Sequence, residues 1–223
     1  MKKIFLSIAL IILIVCNTYY SNARFETEDY DSSSLDLEVF LVNVESEKKL
    51  IDCFDVREDG WFVVGSDEGD TTKYINVYNA DGEFMYGYKY FDYGAYHVEW
   101  DGNNLLIYSV RGSREIEVDS WANIISVKKI VDNEANNKYW RELDDPKRVV
   151  GNKEYVLKNK GIYKYIYSSH SQIELFIDGE PSKIIYQASS NAITKRIVFS
   201  TFFCLFFFGG SALVLGKVIK EVK

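Results

Sequence analysis

Cysteine, histidine and proline are nearly missing from this sequence, and each shortage removes a class of protein. Of three cysteines, Cys16 and Cys204 fall in apolar segments, which leaves Cys53 alone in the middle of the chain. A lone thiol makes no internal disulfide and no multi-cysteine zinc site, so the fold has to rest on its core. In Leu50-Ile51-Asp52-Cys53-Phe54 it reads as a small buried strand residue. The two histidines, His97 and His170, are far apart and offer no metal pair. His170, in Ser168-Ser169-His170-Ser171, reads as part of an exposed turn. Two prolines fit a chain of strand ladders rather than linkers. Positive charge is also short: residues 24–194 hold 32 of the 33 Asp and Glu but 19 of the 26 Lys and Arg, a balance of −13. Such a domain repels phosphate backbones, which excludes nucleic acid as a partner. Solubility is the plain reason for the charge, and a basic peptide or a cation stays open.

What is present begins with two apolar segments. Residues 4–16 follow Lys2 and Lys3, and Ser21-Asn22-Ala23 supplies small residues before Arg24. That is the anatomy of a signal peptide over residues 1–23, with an uncleaved anchor as the alternative. Lipoprotein processing at Cys16 is disfavoured by the bulky Val15. Residues 197–216 run for 20 positions without a charge, about what a helix rising 1.5 Å per residue needs to cross a ~30 Å hydrocarbon layer. A transmembrane helix is therefore expected over 195–216, followed by a short basic cytoplasmic tail over 217–223. Ala212 and Gly216 form a small-xxx-small pair within it. The exporting start places the middle of the chain on the outer face of the cytoplasmic membrane, single-pass, or two-pass if the first segment stays. Low Arg against Lys, with abundant Ile, Asn and Tyr, points to a bacterium with an AT-rich genome.

Between these segments, residues 24–37 are acidic and serine-rich and read as a flexible leader. Residues 38–194 form an extracytoplasmic domain built on an internal repeat. Phe54-Asp55-Val56-Arg57-Glu58-Asp59-Gly60 matches Tyr96-His97-Val98-Glu99-Trp100-Asp101-Gly102 at an offset of 42, and an apolar strand follows each. Ile75-Asn76-Val77 matches Ile116-Glu117-Val118 at an offset of 41. A looser third copy alternates as strands over 154–157 and 163–167, and residues 173–180 echo residues 75–83. In each copy an Asp-Gly pair supplies the positive φ of a tight hairpin. Residues 39–44 add a further strand, and helix is confined to the two apolar ends and 133–143.

The strand, Asp-Gly turn, strand signature over 75–84 and 171–185 resembles β-propeller blades, in particular NHL-type repeats, with coverage of roughly residues 50–187. The resemblance implies a mainly β fold of about three antiparallel blades. Closed propellers have about 4–8 blades, so an open or incomplete array, or closure by self-association, is expected. It also implies a binding scaffold.

Candidate chemistry is thin. The carboxylate loop Ser66-Asp67-Glu68-Gly69-Asp70 lacks the alternating spacing of a calcium loop and reads as a solvated hairpin, and no metal or cofactor is expected. Asp55, Asp59 and Asp101 are the candidates for a hydrolase or lyase, but turn geometry already explains Asp59 and Asp101. His97 fills the repeat slot of Asp55, which favours a structural role. Phe84, Tyr86, Tyr88 and Tyr90 alternate, which puts all four on one face of a strand, and Phe91, Tyr93 and Tyr96 follow. They are either inter-sheet core or a recognition surface of Tyr86, Tyr88, Tyr90, Tyr93 and Tyr96 for a peptide or glycan. With no acid, base or nucleophile in a catalytic constellation, the expectation is a non-catalytic, membrane-tethered binding or assembly module. Its expected partners are the bilayer and another envelope protein, a peptide or a glycan.

Overall fold

The computed structural model describes residues 24–30, 37–45, 47–67, 71–159, 169–195, 197–199 and 201. The signal segment, most of the apolar run 197–216, the basic tail, the strand expected at 163–167 and Glu68–Asp70 of the carboxylate loop lie outside these residues. Among the described residues no helix is long and apolar enough to cross a membrane.

The described chain is mainly antiparallel β, in three sheets, none closed. The first contains β2 (Val39–Val42), β3 (Cys53–Val56), β4 (Phe62–Asp67), β5 (Thr72–Tyr78) and β6 (Phe84–Phe91), in the order β2-β6-β5-β4-β3. The second contains β1 (Thr27–Asp29), β7 (Tyr96–Asp101), β8 (Asn104–Ser109), β9 (Arg114–Val118) and β10 (Ile124–Ile130), in the order β1-β10-β9-β8-β7. The third is the meander β11 (Lys147–Val150), β12 (Lys153–Lys158), β13 (Gln172–Ile177) and β14 (Glu180–Gln187). Each sheet is thus a four-strand meander, and the first two gain an outer strand from the N-terminal part of the chain. The offset repeat of the sequence is the succession of these meanders: β3 corresponds to β7, and β5 to β9 and β13.

The turns repeat as closely as the strands. In the β5–β6 hairpin the Asn79 carboxamide oxygen accepts the N–H groups of Asp81 and Glu83. In the β9–β10 hairpin the Asp119 carboxylate accepts those of Trp121 and Asn123 in the same way. The residue needing a left-handed backbone is Gly82 (φ 86°) in one and Ala122 (φ 66°) in the other. At Gly82 the constraint is double, because an added Cβ would lie 2.4 Å from the Ile185 carbonyl oxygen, whereas at Gly102 (φ +60°) it would meet open space. Gly102→Ala is therefore expected to cost about 1 kcal/mol from backbone strain. Gly82→Ala should cost about 1–3 kcal/mol more from overpacking, read as the difference between two denaturation curves. Equal costs would show that the Gly82–Ile185 approach is not tight.

The first sheet is the middle layer. One face packs on the third sheet through Phe54, Val56, Phe62, Val64 and Tyr78 against Tyr155, Leu157, Ile173, Leu175 and Tyr186. The other packs on the second sheet through Val63, Ile75, Val77, Tyr88 and Tyr90 against Tyr96, Val98, Leu105, Ile107 and Ile116. Packing on both faces explains why β4 is buried without a break from Phe62 to Ser66, whereas burial along β7, with one face toward this core, alternates. The far face of the second sheet is covered by Phe25, Tyr139, Trp140 and Leu143. The last three lie on helix α1 (Glu134–Leu143), which Asn133 caps by accepting the Asn136 N–H. Residues 24–29, expected in a leader, are built into the domain: Phe25 is buried and Thr27–Asp29 pair with β10. Strand pairing and an apolar anchor outweigh the acidic composition there.

Candidate functional site

The tyrosine cluster is mostly core. Tyr88, Tyr90 and Tyr96 are 1, 0 and 3% exposed between the first and second sheets, Tyr86 is half-buried among them, and only Tyr93, at 64%, faces solvent. Nor do the four alternating aromatics share a face. A β-bulge at Val77/Tyr78 pairs Phe84 with Tyr78 and Tyr86 with Val77, so Phe84 packs toward the third sheet and Tyr86 toward the second. A recognition surface made of all five tyrosines is therefore not present. His170 is not an exposed turn either: its backbone bridges Ile51, and burial lowers its pKa. Cys53 is buried against Gly65, where burial pushes the thiol pKa up.

The residues that do come together sit where the three meanders meet. β3, β7 and β11 are each an edge strand of their sheet, and both β7 and β11 lie beside β3. An exposed edge carries unpaired backbone groups. Asp55 on β3 resolves part of that problem by accepting the Trp100 N–H of β7 at 2.8 Å and the Arg148 Nε–H of β11 at 3.1 Å. Arg148 also donates to the carbonyls of Leu143 and Asp145 at the end of α1. One carboxylate thus ties three sheets and the helix. His97, in the equivalent repeat position, likewise reaches toward the next element of the chain: its Nε2 lies 3.5 Å from Asp144, beside Trp140. Burial lowers the His97 pKa, which favours the neutral ring.

Around this junction opens a cleft of about 670 Å³ lined by Arg24, Asp55, Arg57, Glu99, Trp100 and Arg148, among others. A second recess of about 470 Å³ continues it past Glu58, Val149 and Val150 toward Tyr155. Its charges are arranged as pairs. Arg24 meets Asp101 at 2.9 Å, Arg57 meets Asp59 at 2.7 Å, and Arg148 meets Asp55. The Arg57 guanidinium also lies over the Trp61 and Trp100 rings, 4.9 and 4.8 Å from their centroids. Glu99 accepts the hydroxyls of Tyr108 and Tyr139, both at 2.6 Å, and burial pushes both phenol pKa values up, which keeps them donors.

All three aspartates considered for catalysis thus gather at one end of the molecule, and each is engaged by an arginine. The Arg57 hydrogen bond holds the Asp59 pKa below the usual carboxylate range. Burial raises that of Asp55 to about 6. Each Asp55 oxygen already accepts a hydrogen bond, so this carboxyl is held as a clasp rather than presented as a proton donor. Two N–H donors of the cleft wall, Trp100 Nε1 and Arg24 Nε, are buried and have no acceptor among the described residues. Among these residues no group of three or more His, Cys, Asp and Glu side chains is placed to hold a metal ion. The sequence offered no signal for Arg24, Arg57 or Arg148, because nothing local links Arg148 to an aspartate 93 residues away. Trp121, 73% exposed at the tip of the β9–β10 hairpin, was equally silent. Neither a family model nor a characterised protein matches the sequence.

Proposed function

We propose that this chain is a non-catalytic binding or assembly module, tethered by residues 197–216 to the outer face of the cytoplasmic membrane. Its three meanders act as propeller-like blades in an open array, and its ligand enters the cleft at their junction. The observation that carries this reading is Trp100, a cleft-lining residue only 7% exposed, whose buried indole N–H has no acceptor among the described residues. A buried donor left unpaired is costly, and an acceptor oxygen of a peptide or glycan would satisfy it. The paired arginines and carboxylates give such a ligand a polar, pre-organised wall.

The alternative is an envelope hydrolase or lyase, favoured by the Asp55 pKa of about 6 within a cleft. The occupied oxygens of Asp55 and the salt-bridged state of Asp59 and Asp101 weigh against it.

Photo-crosslinking side chains placed in cells at Asn103 and Val149, on the cleft wall, are expected to trap a discrete adduct that the same group at Lys129 does not. Trp100→Phe, which keeps the ring over Arg57 but removes the N–H, should weaken adduct formation severalfold. Equal adducts at all three positions, or none at the cleft, would overturn the assignment.

A further inference from the structure

A second surface lies at the opposite end of the sheets, where β14 ends and the chain runs on toward the apolar segment. Residues 190–195 and 197–199 are helical, and this helix starts docked on the domain. Ser189 caps it by accepting the Ala192 N–H, its hydroxyl is bonded to Glu47 at 2.5 Å, and its own N–H donates to the Lys48 carbonyl at 2.8 Å. Ile193 packs against the core between the first and third sheets, and Lys195 reaches Glu47 at 3.6 Å. By contrast Val198 and Phe199 are 61 and 67% exposed.

The spacing is short. Ser189 and Ile197, where the uncharged run begins, are eight residues apart, a distance of about 12 Å at a helical rise of 1.5 Å per residue. The headgroup layer of one leaflet is itself about 5–8 Å thick. With a helical, docked root, the domain is left with a few ångströms of clearance, so a tilt brings one of its faces onto the headgroups.

The face beside the root is suited to that position. Phe40, Lys89 and Tyr74 sit side by side across β2, β6 and β5. Phe91 approaches Phe40 at 6.4 Å between ring centroids, and the Lys89 ammonium lies over Phe91 and Tyr74. The Lys49 ammonium is 3.4 Å from the Tyr74 ring centroid, while the Lys49 carbonyl accepts the Tyr186 hydroxyl on the strand that leads into the helix. Phe40 and Phe91 are 43 and 53% exposed, more than a solvated sheet face needs. Aromatic rings and lysines together are the composition of a protein surface held at the bilayer interface. In a domain of net charge −13 this is a local exception to the prevailing sign.

We infer that the face formed by Phe40, Phe91, Tyr74, Lys49 and Lys89 rests on the anionic phospholipid headgroups of the bilayer that the 197–216 run enters, with the cleft held at the distal end. This rests on the tethered reading above. The lysines meet lipid phosphates, the phenylalanine rings sit among the glycerol and upper acyl groups, and the tether supplies the local concentration that a weak, acidic domain would lack by itself.

The test uses the full chain in vesicles of phosphatidylcholine with phosphatidylglycerol, the lipids carrying bromine near the headgroup as a quencher. Phe91→Trp should add an emission that is quenched about two-fold, while Ile125→Trp, exposed at the cleft end of the second sheet, adds one that is not. Lys49→Glu combined with Lys89→Glu should abolish the quenching and leave co-flotation with vesicles intact. Equal quenching at both indoles, no quenching at position 91 in protein that floats, or burial of position 91 in a dimer would each overturn the inference. Protein that fails to float with vesicles would instead overturn the tether.

Discussion

Asp55→Ala is expected to lower the unfolding free energy by about 3–5 kcal/mol at neutral pH, as removal of one member of a buried ion pair does. Alanine leaves the Arg148 guanidinium, with 17% of its side chain exposed, and the Trp100 N–H without their acceptor. Because the carboxylate joins β3, β7 and β11, the loss should be accompanied by faster hydrogen exchange at the inner edges of the second and third sheets. Asp55→Asn keeps an acceptor for Trp100 and should cost less. A loss under about 1 kcal/mol for the alanine variant would show that the clasp does not hold the sheets together.

The same residue carries a pH signature of defined sign. Burial raises the folded pKa from 3.8 to about 6, so the folded state binds this proton more tightly than the unfolded chain. Its contribution to stability is fully present below 3.8 and is lost as pH rises through about 6. The span corresponds to roughly 3 kcal/mol. Relative to Asp55→Asn, the wild type should gain about that much between pH 7 and pH 4 in paired denaturation curves. A parallel pair of curves would mean that folding leaves the Asp55 pKa unshifted.

Tyr90 gives the second large effect, with opposite signs for two substitutions. Its ring is fully buried and edge-on to Tyr96 at 5.7 Å, so Tyr90→Ala should cost about 3–5 kcal/mol. Its hydroxyl is buried and has no hydrogen-bond partner among the described residues. Tyr90→Phe removes that unsatisfied group and should leave stability unchanged or raise it by about 1 kcal/mol. Tyr93→Ser, at an exposed position of the same aromatic run, should stay within about 0.5 kcal/mol. A destabilised Tyr90→Phe would mean that the hydroxyl is bonded in solution.

These outcomes separate what local pattern encodes from what packing decides. Several strands of the three meanders, the helix behind Asn133 and the positive φ of Gly60, Gly82, Gly102 and Gly179 were legible, because alternation, capping and turn chemistry act over a few residues. The repeat was legible too, as one meander following another. The same alternation made the tyrosines ambiguous, since one strand with a regular side-chain pattern serves equally as core or as surface. The bulge that separates Phe84 from Tyr86 depends on the partner strand. The incorporation of Phe25 into the core was hidden by the acidic residues around it, because one aromatic anchor leaves little trace in composition. The cleft was the least visible feature: Arg24 meets Asp101, and Arg148 meets Asp55, only after β3, β7 and β11 have come together. Near-neighbour interactions, and therefore the sequence, specify the helix, the tight turns and the succession of three meanders. The tertiary structure alone decided which faces are covered and where the charges converge, since those depend on contacts between residues distant in the chain.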